Sequence, residues 1–325
     1  MAKYKLAISI PTYERPDCIT DLVNYMIDEA ERLNVGIYVF DGSENDDTET
    51  ACKIYEKYSC FNYIRHNGTV GKRHVEAIYM PDCEYLWLTR DRTILRTEFW
   101  TTLINLFEDN RDLYIIADWP TENHLKLYND PKELINDFGR VMTFFGSFIV
   151  KKSFLKNIEE TNDSYLYNFP LMYKVFVSAA EKKDFSALYI PCLLKSNYYD
   201  INKELGHPCL IGRNFLDIWA KRWVLMFDNL PSFYEADKVK LKMMRSNDFW
   251  SFFSILEHCC KKDFTLKEIL EYKKYIKQVT NVPFEVMVVL AVLPVFINVL
   301  LRELIRPFER IIRRRREKKE RDLTR

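Results

Sequence analysis

The strongest constraint on the fold is the alternation of short apolar segments with amphipathic ones over the first 90 residues. Each apolar segment has the length of a buried strand, and each amphipathic segment carries apolar residues at helical spacing. A chain that alternates in this way, with short loops, forms a mainly parallel sheet covered by helices. The sequence therefore predicts an α/β fold, with strands at 5–10, 36–40, 61–65 and 84–89 and helices at 19–33, 47–58 and 72–79.

Beyond residue 113 the pattern is less regular. Strands are predicted at 114–117 and 144–150, with a polar loop at 122–128 and a helix at 171–182. The segment 187–191 is predicted to form the last strand, at an edge of the sheet. After residue 214 periodic apolar residues indicate helices. We therefore expect an α/β domain over 1–200, a helical appendage over 201–280 and amphipathic, basic helices over 281–325.

Composition excludes several classes of protein. The formal net charge is +1, which gives no general attraction to nucleic acid, so no nucleic-acid partner is expected. The eight cysteines include no CxxC pair, which argues against a zinc ribbon or a redox dithiol. The chain does not open with a signal-peptide pattern, and a reducing cytosol fits these thiols best.

Polar residues follow four of the predicted strands at the point where each strand ends. Carboxyl ends of parallel strands meet at one edge of a sheet, which is where α/β folds bind ligands. Asp41 there is suited to accept from a base N–H or a ribose hydroxyl, and Lys72 and Arg73, at a helix start, are suited to neutralise phosphate. Taken singly, each is as consistent with an ordinary turn. The four segments are Pro11-Thr12-Tyr13-Glu14, Asp41-Gly42, Asn67-Gly68 and Arg90-Asp91-Arg92.

In these motifs the chain resembles the family 2 glycosyltransferases, inverting enzymes with the Rossmann-like, nucleotide-sugar-binding GT-A fold. The resemblance covers about residues 3–195, and its motifs are Ala7 to Arg15, Val39 to Ser43 and Leu86 to Asp91. It implies that Pro11, Thr12, Tyr13, Glu14 and Asp41 embrace a uridine. Asn67, after the third strand, is a further candidate for nucleotide-sugar binding. The resemblance also implies that Asp91 belongs to an Asp-x-Asp motif whose Mg²⁺ or Mn²⁺ holds the diphosphate.

The Asp-x-Asp motif is reduced here to Asp91, which lies between Arg90 and Arg92. One carboxylate, diphosphate oxygens and waters can complete the octahedral shell of Mg²⁺. Alternatively Arg92 or Arg90 supplies the positive charge, since a guanidinium matches phosphate geometry. Both arginines are also consistent with solvated loop charges.

The resemblance implies a catalytic carboxylate that deprotonates the acceptor hydroxyl. The family's Glu-Asp pair would fall near Met172, where this chain has no acid. Asp163, then Asp118 and Glu122, are the remaining candidates, and each is equally consistent with a surface acid. His207 lies where some family members place a metal or diphosphate ligand.

The segment Val282 to Leu301 is almost wholly apolar, with the length of a marginal membrane span, and an arginine-rich helix follows it. Basic flanks stay cytoplasmic, so a single span would separate the N-terminal domain from cytosolic nucleotide sugars. The topology favours helices that lie in the inner leaflet, held by anionic lipid on the cytoplasmic face of the cell membrane. The alternative is a buried helical hairpin or an oligomer interface.

The function expected from the resemblance is transfer of a sugar from a UDP-sugar to a hydroxyl of a lipid-linked glycan acceptor, in bacterial surface-polysaccharide synthesis. A nucleotidyltransferase would need a Gly-rich loop after the first strand, which Pro11-Thr12-Tyr13-Glu14 does not provide. The eroded motifs leave one alternative of another class, a catalytically inactive GT-A scaffold in a polysaccharide assembly complex.

Overall fold

A sheet of eight described strands forms the centre of the first part of the chain. The computed structural model describes residues 2–91, 93–116, 124–155, 169–191, 198–200, 215–235 and 250–323. The chain divides into two compact units, Met1–His207 and Pro208–Arg325. The strands of the sheet are β1 (Tyr4–Thr12), β2 (Gly36–Asp41), β3 (Phe61–Arg65), β4 (Cys83–Leu88), β6 (Leu113–Ile115), β7 (Lys126–Tyr128), β8 (Phe148–Lys151) and β9 (Ala187–Tyr189), while β5 (Thr93–Leu95) pairs with β10 (Tyr198–Asp200) in a separate antiparallel ribbon.

The sheet has the order β3-β2-β1-β4-β8-β6-β9-β7. Strands β1 to β4 pair in parallel, as do β6 and β9, whereas β8 and β7 run antiparallel to their neighbours. β1 lies between β2 and β4, with Ile8 opposite Ile37 and Trp87. The predicted mainly parallel α/β sheet is confirmed.

Two details of the predicted sheet were wrong. Strand β9 is not an edge strand, because residues 126–128, predicted as loop, form β7 and pair with its free side. The strand predicted from residue 144 begins only at Phe148. Gly146 has φ +90°, which is incompatible with an extended strand, and its N–H donates to the carbonyl of Leu88 at 2.7 Å.

The helices of this unit form where apolar residues recur at helical spacing. Helix α1 has a proline in its first turn and buries Ile19, Leu22, Met26 and Ala30. Its C-cap is Asn34, which adopts the left-handed conformation. The helices are α1 (Pro16–Leu33), α2 (Asp47–Cys52), α3 (Val70–Tyr79), α4 (Trp100–Leu106), α5 (Pro131–Phe138) and α6 (Pro170–Glu181). Short 3₁₀ turns follow or precede several of them, at Lys53–Tyr55, Thr97–Phe99, Phe107–Asp109, Val141–Thr143 and Lys152–Phe154.

All described secondary-structure elements of the second unit are helices, as predicted for the chain beyond 214. A π-helix at Asp217–Arg222 leads into α7 (Trp223–Asp228), and a 3₁₀ turn lies at Ser232–Tyr234. The remaining helices are α8 (Phe252–Cys260), α9 (Leu266–Glu271), α10 (Lys273–Val279), α11 (Phe284–Val292) and α12 (Val295–Leu323).

The apolar segment 282–301 is divided between two helices. Helix α11 ends at Val292 and α12 begins at Val295, because Pro294 lacks the N–H that a continuous helix would use. Within the described ranges, no helix alone is long and apolar enough to cross a membrane. Only α10 and α11 taken together have the length and composition of a span, and they are bent by 117°.

Candidate functional site

The carboxyl ends of β1, β2, β3 and β4 bring the predicted polar segments to one edge of the sheet. Gly42 N–H donates to the carbonyl of Thr12 at 3.1 Å, and His66 N–H donates to the carbonyl of Asp41 at 2.7 Å. The Thr12 hydroxyl donates to Asp91 Oδ2 at 3.1 Å. We call this edge, formed by residues 11–15, 41–43, 65–73 and 89–91, the carboxyl rim.

Asp41 is a buried carboxylate of the rim that accepts four hydrogen bonds. Its side chain has no exposed surface, and four donors share its two oxygens. Oδ1 accepts from the N–H of Ser43 at 2.9 Å and its hydroxyl at 2.5 Å, while Oδ2 accepts from Tyr63 at 2.7 Å and from Arg65 at 3.3 Å. Burial first, and then the bond to Asp41, raise the pKa of Tyr63, so its phenol stays a donor at neutral pH. A base N–H or ribose hydroxyl would have to replace one of these donors to reach Asp41.

Ser43, Tyr63 and Arg65 bond to predicted site residues but were not themselves predicted. Ser43 ends the Val39 to Ser43 motif, but its contact with the Pro11 turn is visible only in the fold, where its hydroxyl accepts from the Glu14 N–H at 2.7 Å. Tyr63 and Arg65 alternate along β3, so only their register with β2 identifies Asp41 as their partner. The Asp41 carboxylate thus fixes the two neighbouring strand ends.

The turn at Pro11 to Glu14 presents an aromatic ring to solvent. Glu14 has φ +50°, a conformation that costs a non-glycine residue free energy and that clusters at functional sites. The bond from Glu14 to Ser43 holds that conformation. Tyr13, next to it, is 41% exposed, and the Arg73 guanidinium lies 5.8 Å from its ring centroid. An exposed aromatic face of this kind can stack on a planar base.

Asp91 is buried and already paired. Besides Thr12, it accepts from Arg15 Nη1, which lies 3.3 Å from Oδ1 and 3.4 Å from Oδ2. Arg15 retains partial exposure, whereas the Asp91 side chain is only 9% exposed. Arg15 was not predicted as a site residue. Its signal is weak, since it comes 76 positions before Asp91 and only the pairing of β1 with β4 brings it there.

Arg73 contributes a buried positive charge to the rim. It lies in the first turns of α3, whose N-cap Thr69 accepts from the Lys72 N–H at 3.4 Å. Arg73 is 6% exposed, and within the described part of the chain its buried Nε has no hydrogen-bond partner. Burial lowers the pKa of Arg73, and the charges of Asp41 and Asp91 oppose this shift. Its Nη1 packs so closely on Gly42 that a Cβ there would lie 1.8 Å away.

The other predicted residues divide into two groups. Lys72 and Asn67 are exposed at the rim, where the loop before α3 is braced by His66, whose Nδ1 lies 2.6 Å from Glu76 Oε2. The remaining predicted residues, all three candidate bases among them, lie outside the described residues. These are Arg92, Asp118, Glu122, Asp163 and His207.

A divalent ion would need oxygen ligands at the rim. Among the described residues no group of three His, Cys, Asp or Glu side chains is placed to hold one. Asp41 is shared by four donors, and Asp91 is paired with Arg15. The described donors do not fit a divalent ion, and the use of Mg²⁺ or Mn²⁺ stays a prediction.

Comparison with known proteins finds likeness in structure alone. No family model and no curated protein matches the chain. A crystal structure of S. aureus TarS is similar with a TM-score of 0.53 and 16% identity, over 87% of this chain and 50% of that one, so the chain spans about half the length of that protein. S. aureus TarS 1–349 with UDP-GlcNAc gives 0.48 and 13%, over 84% and 89% of the two chains, and mannosyl-3-phosphoglycerate synthase from Rubrobacter xylanophilus gives 0.40 and 15%, over 57% and 66%. The likeness to TarS shows the GT-A fold.

Proposed function

We propose that this GT-A chain is an inverting glycosyltransferase that moves a sugar from a UDP-sugar to a hydroxyl of a lipid-linked glycan. The observation that carries the proposal is the carboxyl rim. There an exposed aromatic ring lies beside a buried guanidinium whose Nε has no hydrogen-bond partner among the described residues. An aromatic face suits a base, and a guanidinium suits a diphosphate. A nucleoside diphosphate carries a base for the aromatic ring and a diphosphate for the guanidinium.

Within this proposal each part of the rim has a role. Tyr13 stacks on the uracil, and the Asp41 network keeps the turn at Glu14 in the conformation that places Tyr13 there. Lys72, Arg73 and the amino end of α3 meet the diphosphate, because a helix N-terminus favours negative charge.

At the anomeric carbon the reaction forms one bond and breaks one. The acceptor oxygen attacks the anomeric carbon from the face opposite the diphosphate, the bond from that carbon to the phosphate oxygen breaks, and UDP leaves. A carboxylate takes the proton from the acceptor hydroxyl. Asp163 is proposed for that role, with Asp118 as the second candidate.

The donor is tested by isothermal titration of the purified chain with UDP, GDP and ADP, followed by a UDP-release assay with UDP-sugars and a membrane-lipid extract. Of the three nucleotides, we expect only UDP to bind, with micromolar affinity. UDP release should require both a UDP-sugar and the lipid extract. Asp163→Asn should abolish release and leave UDP binding unchanged, with Asp184→Asn, a carboxylate described outside the rim, as the matched control. Binding of UDP without release from any donor would favour the inactive scaffold, and no binding of UDP would refute the proposal.

We further propose that the chain docks on the cytoplasmic face of the membrane through α12. Five apolar side chains that are 48–70% exposed follow one another at helical spacing, so they share one face. We call this face the apolar stripe; it consists of Phe296, Leu300, Leu304, Phe308 and Ile311.

The body of the second unit packs on another face of α12. There Asn298 is buried and donates to the carbonyl of Leu290 at 2.8 Å, and Arg302 reaches Glu257 of α8 at 3.4 Å. The apolar stripe is therefore turned away from its own core. Residues 302–322 carry ten basic and five acidic side chains, a charge that matches an anionic bilayer better than a second copy of the same basic helix.

Vesicle flotation tests this surface. The chain should float with vesicles of phosphatidylcholine and phosphatidylglycerol and remain at the bottom with phosphatidylcholine alone. Leu304→Glu with Phe308→Glu should remove flotation, while Leu270→Glu, equally apolar and 52% exposed on α9, should not. If the double variant instead changes a dimer into a monomer in sedimentation and wild type ignores vesicles, the stripe is an interface between copies.

A further inference from the structure

We infer that guanidinium groups, those of Arg73 and Arg15, bind the diphosphate in place of a divalent ion. The inference rests on the proposed UDP-sugar donor and concerns how its charge is balanced. It predicts that UDP binds equally well with and without Mg²⁺ or Mn²⁺.

The first argument is the charge balance of the rim. Asp41 is matched by Arg65 at 3.3 Å and Asp91 by Arg15 at 3.3 Å, which leaves Arg73 as a buried cation in excess. Removing a guanidinium from water is costly unless an anion and hydrogen-bond acceptors replace the lost hydration. The buried Nε of Arg73, without an acceptor among the described residues, shows that this replacement is incomplete. A diphosphate supplies both the charge and the acceptors.

The second argument is the state of Asp91. An ion bound there would have to displace Arg15 Nη1 and compete with the Thr12 hydroxyl for Oδ2. It would also enter the field of Arg73, whose pKa responds to the Asp91 charge. Like charges that share a buried site disfavour one another, so the two guanidinium groups oppose a third cation.

The third argument is the geometry of Arg15. Its contact with Asp91 is made by Nη1 alone, at 3.3 and 3.4 Å, and is not the paired fork that arginine forms with a carboxylate at full strength. The side chain is 23% exposed at the rim. Arg15 can therefore keep its contact with Asp91 and offer other N–H groups to a phosphate.

The test compares UDP with uridine in isothermal titration, in buffer with EDTA and in buffer with Mg²⁺ or Mn²⁺. The UDP affinity should agree within about twofold in all buffers, because no ion takes part. Arg73→Ala should weaken UDP by about 10- to 100-fold, the range for hydrogen bonds to charged groups, and leave uridine unchanged. Arg32→Ala, which removes an exposed arginine of α1 paired with Glu29, is the matched control and should change neither.

Two further variants test whether UDP binding depends on the planar shape of the Arg73 guanidinium and on its position, and not on its charge alone. Arg73→Lys keeps the charge but lacks the planar fork, and should recover only part of the UDP affinity. Gly42→Ala leaves Arg73 in the chain but forces Nη1 away, since the added Cβ would lie 1.8 Å from it. It should lower the ratio of UDP to uridine affinity about as much as Arg73→Ala. Thermal unfolding identifies any variant that fails to fold.

Asp91→Asn should give opposite results for a diphosphate site made of guanidinium groups and for a metal site. The amide still accepts from Thr12 but no longer attracts Arg15, so with EDTA the UDP affinity should be kept or rise. At a metal site the same change would lower UDP affinity in Mg²⁺, and this result would overturn the inference. Binding of UDP only with metal would also overturn it and would leave the UDP-sugar donor intact. If UDP binds in none of the buffers, the proposed UDP-sugar donor is refuted.

Discussion

The carboxyl rim of the first unit and the apolar stripe of the second depart in opposite ways from the usual distribution of polar and apolar residues. At the rim, two carboxylates and a guanidinium are buried: Asp41, Asp91 and Arg73. On α12, five large apolar side chains are exposed. Soluble proteins generally avoid both arrangements, because buried charge and exposed apolar surface each cost free energy.

The difference lies in how far each region satisfies its own groups. At the rim, four donors bond to Asp41 and two to Asp91, and among the described residues the buried Nε of Arg73 has no acceptor. The apolar stripe buries little of its apolar surface, because its side chains face away from the core that α12 packs on. A single missing hydrogen bond, which has a direction, suits a ligand with defined acceptors. A long row of exposed apolar side chains, which has no such direction, suits a lipid surface.

Removing Asp41 should have the largest effect on folding. Asp41→Ala leaves Arg65 and Tyr63 without their shared acceptor and the Ser43 hydroxyl without its strongest bond. We expect the free energy of unfolding to fall by about 3–5 kcal/mol, the range for breaking a buried pair. Urea denaturation measures it. Asp46→Ala removes a side-chain carboxylate that is 84% exposed and lies 3.5 Å from the same Arg65, and should cost less than about 1 kcal/mol. Equal losses in the two variants would show that the Asp41 network does not hold the strand ends.

A smaller effect is expected from the buried histidine of the second unit. His258 packs on Phe264 and lies 3.0 Å from Asp263, and burial lowers its pKa below the usual 6.5, against the pull of Asp263. The unfolded chain then binds a proton more readily than the folded one, so stability is highest above pH 6.5 and falls as the pH drops below it. Thermal unfolding of wild type and His258→Phe between about pH 5 and 8 measures this, since only histidine titrates there unperturbed. The stability of wild type minus that of His258→Phe should rise with pH over this range. A difference that stays constant or falls with rising pH would contradict the prediction.

The smallest effect on folding is expected at the apolar stripe. Leu304→Glu should change the free energy of unfolding by no more than about 0.5 kcal/mol, because Leu304 makes little contact with its own core. Leu290→Glu, on the buried side of α11 with 4% exposure, is the matched change and should destabilise the chain strongly. A large loss for Leu304→Glu in urea denaturation would show that the stripe stabilises the monomer, which contradicts its role as a docking surface.

Most of the sheet and the outline of the rim could be predicted from local sequence. Apolar runs between turn residues identified β1 to β4, and residues directly after a strand had to reach the same edge. The errors fell where the pattern was short: three residues at 126–128 pair as a strand only because β9 lies beside them. Candidate bases and His207 lie outside the described residues, so those assignments stay predictions.

The sequence by itself determined which residues stand at the carboxyl ends of the strands, since strand position is set by local hydrophobic pattern and turn chemistry. It also determined that α12 is amphipathic. Only the tertiary structure decided that Arg15 pairs with Asp91 and that four donors bond to Asp41. It also decided that Arg73 is buried, with its Nε unbonded among the described residues. It decided as well that the apolar side of α12 faces outward. The reason is physical: pairing and burial depend on residues brought together from distant parts of the chain, and no local pattern encodes those distances.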